Sequence, residues 1–316
     1  MHSFHKSILV SEILNILAPK KDGELLIDGT LGEGGHAEAF LNAYPCIKII
    51  GLDADEEIQS IAKARLSSFN SRISYVLGFS DEFFENYPSS LPRPDLILLD
   101  LGVSMYHYTT SKKGFSFNAS DDIDMRLSPS LQTKASDIVL SFSEKQIATI
   151  LREYGEECYA LPIAHSIVNY RKTKKIETSK ELASIVYNAV PPKYRHRMTH
   201  PATKTFQALR IAVNKELWRL PRILNFGFTS LCVGGKMGVI TFHSLEDRIV
   251  KLYFRKLATS CICPPDFPIC KCGKKPYANI LTRKAIRPSK GELERNGAAR
   301  SAKFRAIEKI REPETK

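Results

Sequence analysis

The feature that most constrains this chain is a set of short apolar runs that terminate on acids. Glu24-Leu-Leu-Ile-Asp28, Ile47-Lys-Ile-Ile-Gly-Leu52 running into Asp53, and Asp95-Leu-Ile-Leu-Leu-Asp100 are nearly all apolar, as strands covered on both faces must be. Ile73–Leu77 is a shorter strand candidate, and Ala37–Asn42 and Glu56–Phe69 have helical character. Strands alternating with helices predict an α/β fold built on a parallel, doubly wound sheet. Ligands of such sheets bind beyond the carboxyl ends of the strands, where Asp28, Asp53 and Asp100 all fall.

After Asp100 the alternation stops. The next strand, Lys236-Met-Gly-Val-Ile-Thr-Phe242, begins more than 130 residues later, although a crossover needs only about a dozen. The intervening Ser143–Tyr154, Leu161–Tyr170 and Ser179–Ala189 read as helices. Ser143 with Gln146, and Thr178 or Ser179 with Glu181, supply capping signals. A helical domain is therefore expected at 106–200, inserted into a core made of 1–105 and 201–316. Pro191-Pro192 and His200-Pro201 punctuate its exit, and one helix over Lys204–Leu220 is expected to lead back to the sheet.

Charge is distributed unevenly. The net +12 conceals a first segment, 1–130, with 11 Lys/Arg against 18 Asp/Glu. Residues 171–215 carry 11 against 2 and residues 271–316 carry 14 against 5, so each is +9. Two basic segments beside an acidic half favour a polyanionic partner, which would shed counterions on binding. No run approaches the roughly 18 apolar residues of a membrane span, and the first dozen residues lack the pattern of a secretory signal. Seven cysteines, an odd number, fit a reducing compartment rather than a disulfide framework. A cytoplasmic protein is expected.

Chemistry concentrates at the strand ends. Asp28-Gly-Thr-Leu-Gly-Glu-Gly-Gly-His36 is a glycine-rich strand-to-helix turn, and Asp53 follows Asp28 by 25 residues. Glycines there let the backbone approach a ligand closely, and an acid at the second strand end can accept from both hydroxyls of a ribose. The G-x-G-x-x-G spacing of dinucleotide binders is absent, so a nucleoside cofactor without a pyrophosphate, S-adenosylmethionine, is favoured over NAD. Asp100-Leu-Gly-Val-Ser104 closes the fourth strand. A carboxylate accepting an N–H from a base amine would localise a lone pair otherwise delocalised into the ring. Asp100 is accordingly the catalytic candidate, either as that acceptor or as a cofactor ligand.

Several further stretches occur in a telling order. They are His5-x-x-Ile-Leu-x-x-Glu12, Asp28–His36, Asp100–Ser104, Gly114-Phe-Ser-Phe117, Asp124-Met-Arg126, Tyr154-Gly-Glu-Glu157, His200–Ile211 and Phe242–Lys251. Together, over essentially the whole chain, they resemble the bacterial 16S ribosomal RNA cytosine-N4 methyltransferase family. The resemblance implies a class I methyltransferase Rossmann-like sheet interrupted by a helical substrate-recognition domain. It also implies S-adenosylmethionine as cofactor and, as substrate, a cytidine in the decoding centre of the small ribosomal subunit. Carried over, the cofactor contacts are Gly34, Gly35, His36, Asp53, Phe79 and Asp100, with Phe79 lying against the adenine. His107 stands where the family has a Gln that touches the cofactor; imidazole can also donate or accept. A monomer and a homodimer both remain open. The rival readings are a methyltransferase acting on another nucleic-acid or protein amino group, and a non-catalytic rRNA-binding assembly factor.

Cys261-Ile-Cys263 and Cys270-Lys-Cys272 place four thiols within 12 residues. Tetrahedral zinc ligation is one reading. The usual spacing is C-x2-C, however, so reduced cysteines stiffening a basic flap, with no metal, are the expectation.

Overall fold

The computed structural model describes residues 7–69, 71–196, 198–264 and 271–313. The first part of the chain alternates α1 (Val10–Ile16), β1 (Leu25–Asp28), α2 (Gly35–Ala43), β2 (Lys48–Asp53), α3 (Glu56–Arg65), β3 (Ile73–Leu77), α4 (Ser80–Glu85) and β4 (Leu96–Asp100). A run of helices follows: α5 (Met105–Thr109), α6 (Ala135–Ser141), α7 (Glu144–Gly155), α8 (Ala160–Thr173), α9 (Ser179–Ala189), α10 (Pro192–Arg195) and α11 (Ala202–Asn214). The chain then returns through α12 (Glu216–Ser230), β5 (Lys236–Thr241), α13 (Ser244–Ala258), β6 (Ala278–Ile280), α14 (Lys290–Arg295) and β7 (Lys303–Lys309).

Two compact units result, one of Met1–Gly102 with Trp218–Lys316, the other of Val103–Leu217. The first is built on a seven-stranded sheet in the order β3-β2-β1-β4-β5-β7-β6. β1 to β5 are parallel, and β7 runs antiparallel between β5 and β6. Strand order reverses at β1, between β2 and β4, which opens a ligand crevice at their carboxyl ends. Side chains of one strand alternate between two apolar layers. Leu96 and Leu98 join Ile13, Ala37, Phe40 and Ala62 on one face. Ile97 and Leu99 join Phe84, Leu224, Phe228 and Phe254 on the other.

The strands β6 and β7 have no counterpart in the expectations, which treated 271–316 as a basic flap and tail. Their charges explain the oversight. Lys309 on β7 is fully buried, and its ammonium donates to the carbonyls of Phe228, Thr229 and Leu231 at 3.1, 3.2 and 2.8 Å. Arg305 and Lys303 pair with Asp247 at 2.7 and 3.1 Å. Part of the basic excess is thus neutralised inside the fold.

The helical unit runs from 103 to 217, beyond the expected 106–200, because α11 belongs to it. Phe206, Leu209 and Val213 of α11 share one core with Ile147, Leu151, Ile163 and Val186. Where α7 meets α11, a Cβ on Gly155 would lie 2.7 Å from the Lys204 carbonyl oxygen, so only glycine permits that approach. The expected single helix over 204–220 is two. α11 ends where Lys215 turns left-handed, φ 53°, with Asn214 buried beside it. Asn214 Nδ2 donates to the carbonyls of Met125 and Arg210, and its Oδ1 accepts from Leu127 N–H. Met125 is itself buried at φ 59°, flanked by Arg126, whose guanidinium clasps Asp124 at 2.7 and 2.8 Å. The Asp124-Met-Arg126 motif is therefore architectural.

Asn214→Ala orphans the Leu127 N–H and the Met125 carbonyl and should cost about 2 kcal/mol of local stability. The expected observation is faster amide hydrogen exchange across 103–217, with protection in β1 to β4 unchanged.

Candidate functional site

Six of the seven expected cofactor contacts lie on the sheet unit, at or just after strand ends. Asp53 ends β2 and Asp100 ends β4; Gly34 caps α2, which begins with Gly35 and His36; Phe79 precedes α4. The seventh, His107, is carried by the helical unit on α5, where its buried ring lies 4.9 Å from that of Phe115.

The turn after β1 is locked by its own backbone. Gly34 is left-handed at φ 78°, and a Cβ there would stand 2.8 Å from Leu66 Cδ1, so both conformation and space require glycine. Gly32 N–H donates to Asp53 Oδ2 at 2.8 Å and Asp55 N–H to Asp53 Oδ1 at 2.9 Å. Asp53 thereby bridges the glycine turn to the start of α3. The Asp100 N–H donates to Thr30 Oγ1 at 2.5 Å, and Ser80 Oγ donates to the Gly29 carbonyl. Thr30 and Ser80 were not singled out in the sequence. Their hydroxyls bind backbone across the sheet edge, which leaves no pattern along the chain.

Asp100 and His36 form the polar centre of this edge. His36 Nε2 lies 3.3 Å from Asp100 Oδ2, near enough for electrostatic attraction but without hydrogen-bond geometry. Asp100 Oδ1 and His36 Nε2 are both buried atoms lacking a hydrogen-bond partner among the described residues. Buried polar groups are rarely left so, and the pair suits a ligand that brings donors or positive charge. The carboxylates of Asp53 and Asp100 at this edge suit a ligand that carries positive charge. Phe79 has the Arg219 guanidinium 3.6 Å over its ring, and Arg219 is held by Asp81 and by Glu82. One face of the Phe79 ring is thus occupied.

Asp28 sits behind this centre, 1% exposed, accepting from Thr30 N–H at 3.2 Å. Burial pushes its carboxyl up to about 7; His36 and the Thr30 N–H oppose that rise, while Asp100 and Asp53 add to it. No reading of the sequence assigned Asp28 a titration near neutrality, since the shift comes from burial.

The polar run after β5 is structural. His243 caps α13 by accepting from Glu246 N–H, and Glu246 Oε2 accepts from Phe242 N–H at 2.8 Å. Asp247 holds β7 through Lys303 and Arg305.

On the helical unit, motif pieces far apart in the chain come together. The His200 ring lies nearly parallel to Phe117 at 4.7 Å and to Tyr187 at 6.0 Å. They line a groove of about 370 Å³ with Asn118, Lys180, Ser184 and Asn188. Arg195 lies 5.1 Å over Tyr187. Burial lowers the His200 pKa, favouring a neutral ring. Phe117 and His200 belong to stretches quoted above, but Tyr187 carried no sequence signal beyond helical spacing. The cysteine cluster is only partly visible here, because Cys270, like His5, lies outside the described residues.

The Asp28 carboxyl predicts a specific pH dependence. Between its ordinary 3.8 and about 7, the folded protein keeps a proton that the unfolded chain has released. Stability of the cofactor-free protein should therefore fall as pH rises through that window and level off above it. Asp28→Asn should flatten this slope and raise stability at pH 8 by up to roughly 4 kcal/mol, read from thermal unfolding between pH 5 and 8.

The MraW methylase family model matches residues 2–310. The curated Ribosomal RNA small subunit methyltransferase H of Treponema denticola is 54% identical over 310 residues, covering 98% of this chain and 98% of that protein. Its namesakes from Syntrophotalea carbinolica and Treponema pallidum are 44% and 40% identical, covering 98% and 92% of those proteins. The expected α/β sheet is thus seven-stranded, parallel from β3 to β5 with an antiparallel β7, and S-adenosylmethionine is the cofactor. The chain belongs to the MraW methylase family.

Proposed function

We propose that this protein transfers a methyl group from S-adenosylmethionine to N4 of a cytidine in the decoding centre of 16S rRNA, within the small ribosomal subunit. The observation that carries this reading is the partnerless Asp100 Oδ1 at the end of β4, beside His36, in a chain 54% identical to a small-subunit rRNA methyltransferase.

When bound, S-adenosylmethionine supplies an electrophilic methyl on a positively charged sulfur. Asp53, at the end of β2, would accept from the ribose hydroxyls. The Gly34-Gly35 backbone would allow close approach, and the Phe79 ring would lie against the adenine. His36, 3.3 Å from Asp100 Oδ2, helps fix that carboxylate in place. Asp100 Oδ1 then either orients the cofactor or accepts an N–H of the base amine, localising the nitrogen lone pair for attack. N4 itself would attack the methyl, the electrons of the broken S–C bond staying with sulfur, so no side chain is needed as a covalent nucleophile. The extra proton on N4 would pass to water.

A stacked base must leave its neighbours to reach such a centre. The groove around Phe117, Tyr187 and His200 offers ring faces for stacking, with asparagines and a lysine at its border for base edges and phosphate. We assign it to the grip on single-stranded or looped rRNA.

Radiolabelled S-adenosylmethionine incubated with small subunits lacking the modification should place label in N4-methylcytidine. Label in another nucleoside would retain the cofactor and discard the target atom. Asp100→Ala should slow transfer by about 10²- to 10³-fold with the fold intact. Tyr187→Ala should weaken subunit binding by about 1–3 kcal/mol while the Kd for S-adenosylmethionine stays the same. Equal subunit affinity would remove the groove from the RNA path.

A further inference from the structure

The cysteine pair beyond α13 and the chain leading into β6 converge. The sulfurs of Cys261, Cys263 and Cys272 all lie within 4.8 Å of one another, and Cys272 Sγ is 3.8 Å from Cys261 Sγ. That separation far exceeds a disulfide bond of about 2.05 Å. It equals the edge of a tetrahedron whose centre lies about 2.3 Å from each corner, which is the Zn–S bond length and comes to about 3.8 Å. Ile262 N–H points at Cys272 Sγ and Cys263 N–H at Cys261 Sγ, each at 3.4 Å. Such N–H groups stabilise sulfur in its charged form, the form that binds metal. The C-x-C spacing that counted against zinc in the sequence is offset by Cys272, which folding brings in from nine residues beyond Cys263.

We propose that Cys261, Cys263 and Cys272 form a structural zinc site, three thiolates leaving one tetrahedral corner for a further ligand. The site lies outside the methyl-transfer chemistry, and its function is mechanical. It fastens the segment after α13 to the segment before β6, adding to hydrogen bonds that tie the latter to the end of α13. Tyr277 N–H donates to the Leu257 carbonyl at 2.8 Å, and Lys274 Nζ to the Lys256 carbonyl at 3.4 Å. The last turn of α13 and the segment before β6 are basic, carrying Arg255, Lys256, Lys271, Lys274 and Lys275. The metal therefore holds a cationic knuckle in one shape, so that these charges face a polyanion without first being ordered by it. Zinc is favoured over calcium or magnesium because the ligands are soft sulfurs rather than oxygens.

The test uses the full-length protein, purified under reducing conditions, incubated with zinc chloride and desalted. Elemental analysis should find about one zinc per chain. Cys261→Ser and Cys272→Ser should each reduce retained zinc at least tenfold, whereas Cys46→Ser retains it. S-adenosylmethionine binding, measured on each variant, confirms that the sheet unit has folded. Cobalt in place of zinc should give thiolate-to-metal charge-transfer absorption that both variants lose. Stripping zinc from the wild-type protein with a chelator should speed hydrogen exchange at 259–264 and 271–277 and leave β1 to β4 as they were. Zinc content no higher than that of a triple Cys→Ser variant would overturn the site. So would a Cys261–Cys272 disulfide in the reduced protein. Bound zinc without any change in exchange on removal would overturn the fastening function.

Discussion

Three carboxylates placed side by side at the edge of one parallel sheet are the constraint around which the first unit is organised. Coulomb repulsion and burial both oppose such an arrangement. The structure offsets them with backbone N–H groups on Asp53, a threonine N–H on Asp28 and the imidazole of His36 beside Asp100. Asp28, the most buried, keeps its proton to near neutrality. The glycine turn, the Thr30 hydroxyl and the start of α2 all serve to deliver these partners. A centre so rich in acceptors matches a cationic methyl donor, which accounts for a cofactor that carries positive charge where a dinucleotide carries negative phosphates.

The same economy of charge governs the rest of the chain. A net charge of +12 suggests one uniform polyanion-binding surface, but many of the cations have internal partners. Lys309 is buried among carbonyls, Arg305 and Lys303 brace Asp247, Arg210 grips Glu216, and Arg219 is divided between Phe79 and two acids. By contrast, Lys271 and Lys275 near the cysteine cluster and Lys180 beside the aromatic groove are exposed. Affinity for RNA rests on such exposed charges, and their placement matters more than the net total.

Much of the site was legible because strand-end acids and glycine turns are local. Asp28, Asp53 and Asp100 follow apolar runs, and buried parallel strands leave their reactive residues at the carboxyl edge by topology alone. The break at Lys215 was not legible, because it depends on Asn214 reaching Met125 and Leu127, almost ninety residues away. β7 was hidden for a related reason: Lys303, Arg305 and Lys309 read as solvated tail until Asp247 and the Phe228–Leu231 carbonyls are found around them.

The sequence by itself determined the alternating sheet, the large helical insertion, the family and the acids at the strand ends, since all of these are written in patterns a few residues long. The tertiary structure decided what depends on neighbours distant in the chain. It left Asp100 Oδ1 without a partner, raised the Asp28 pKa, aligned Phe117, Tyr187 and His200 along one groove, and brought Cys272 to Cys261 and Cys263. Burial and proximity are properties of the folded chain, and no local spacing encodes them.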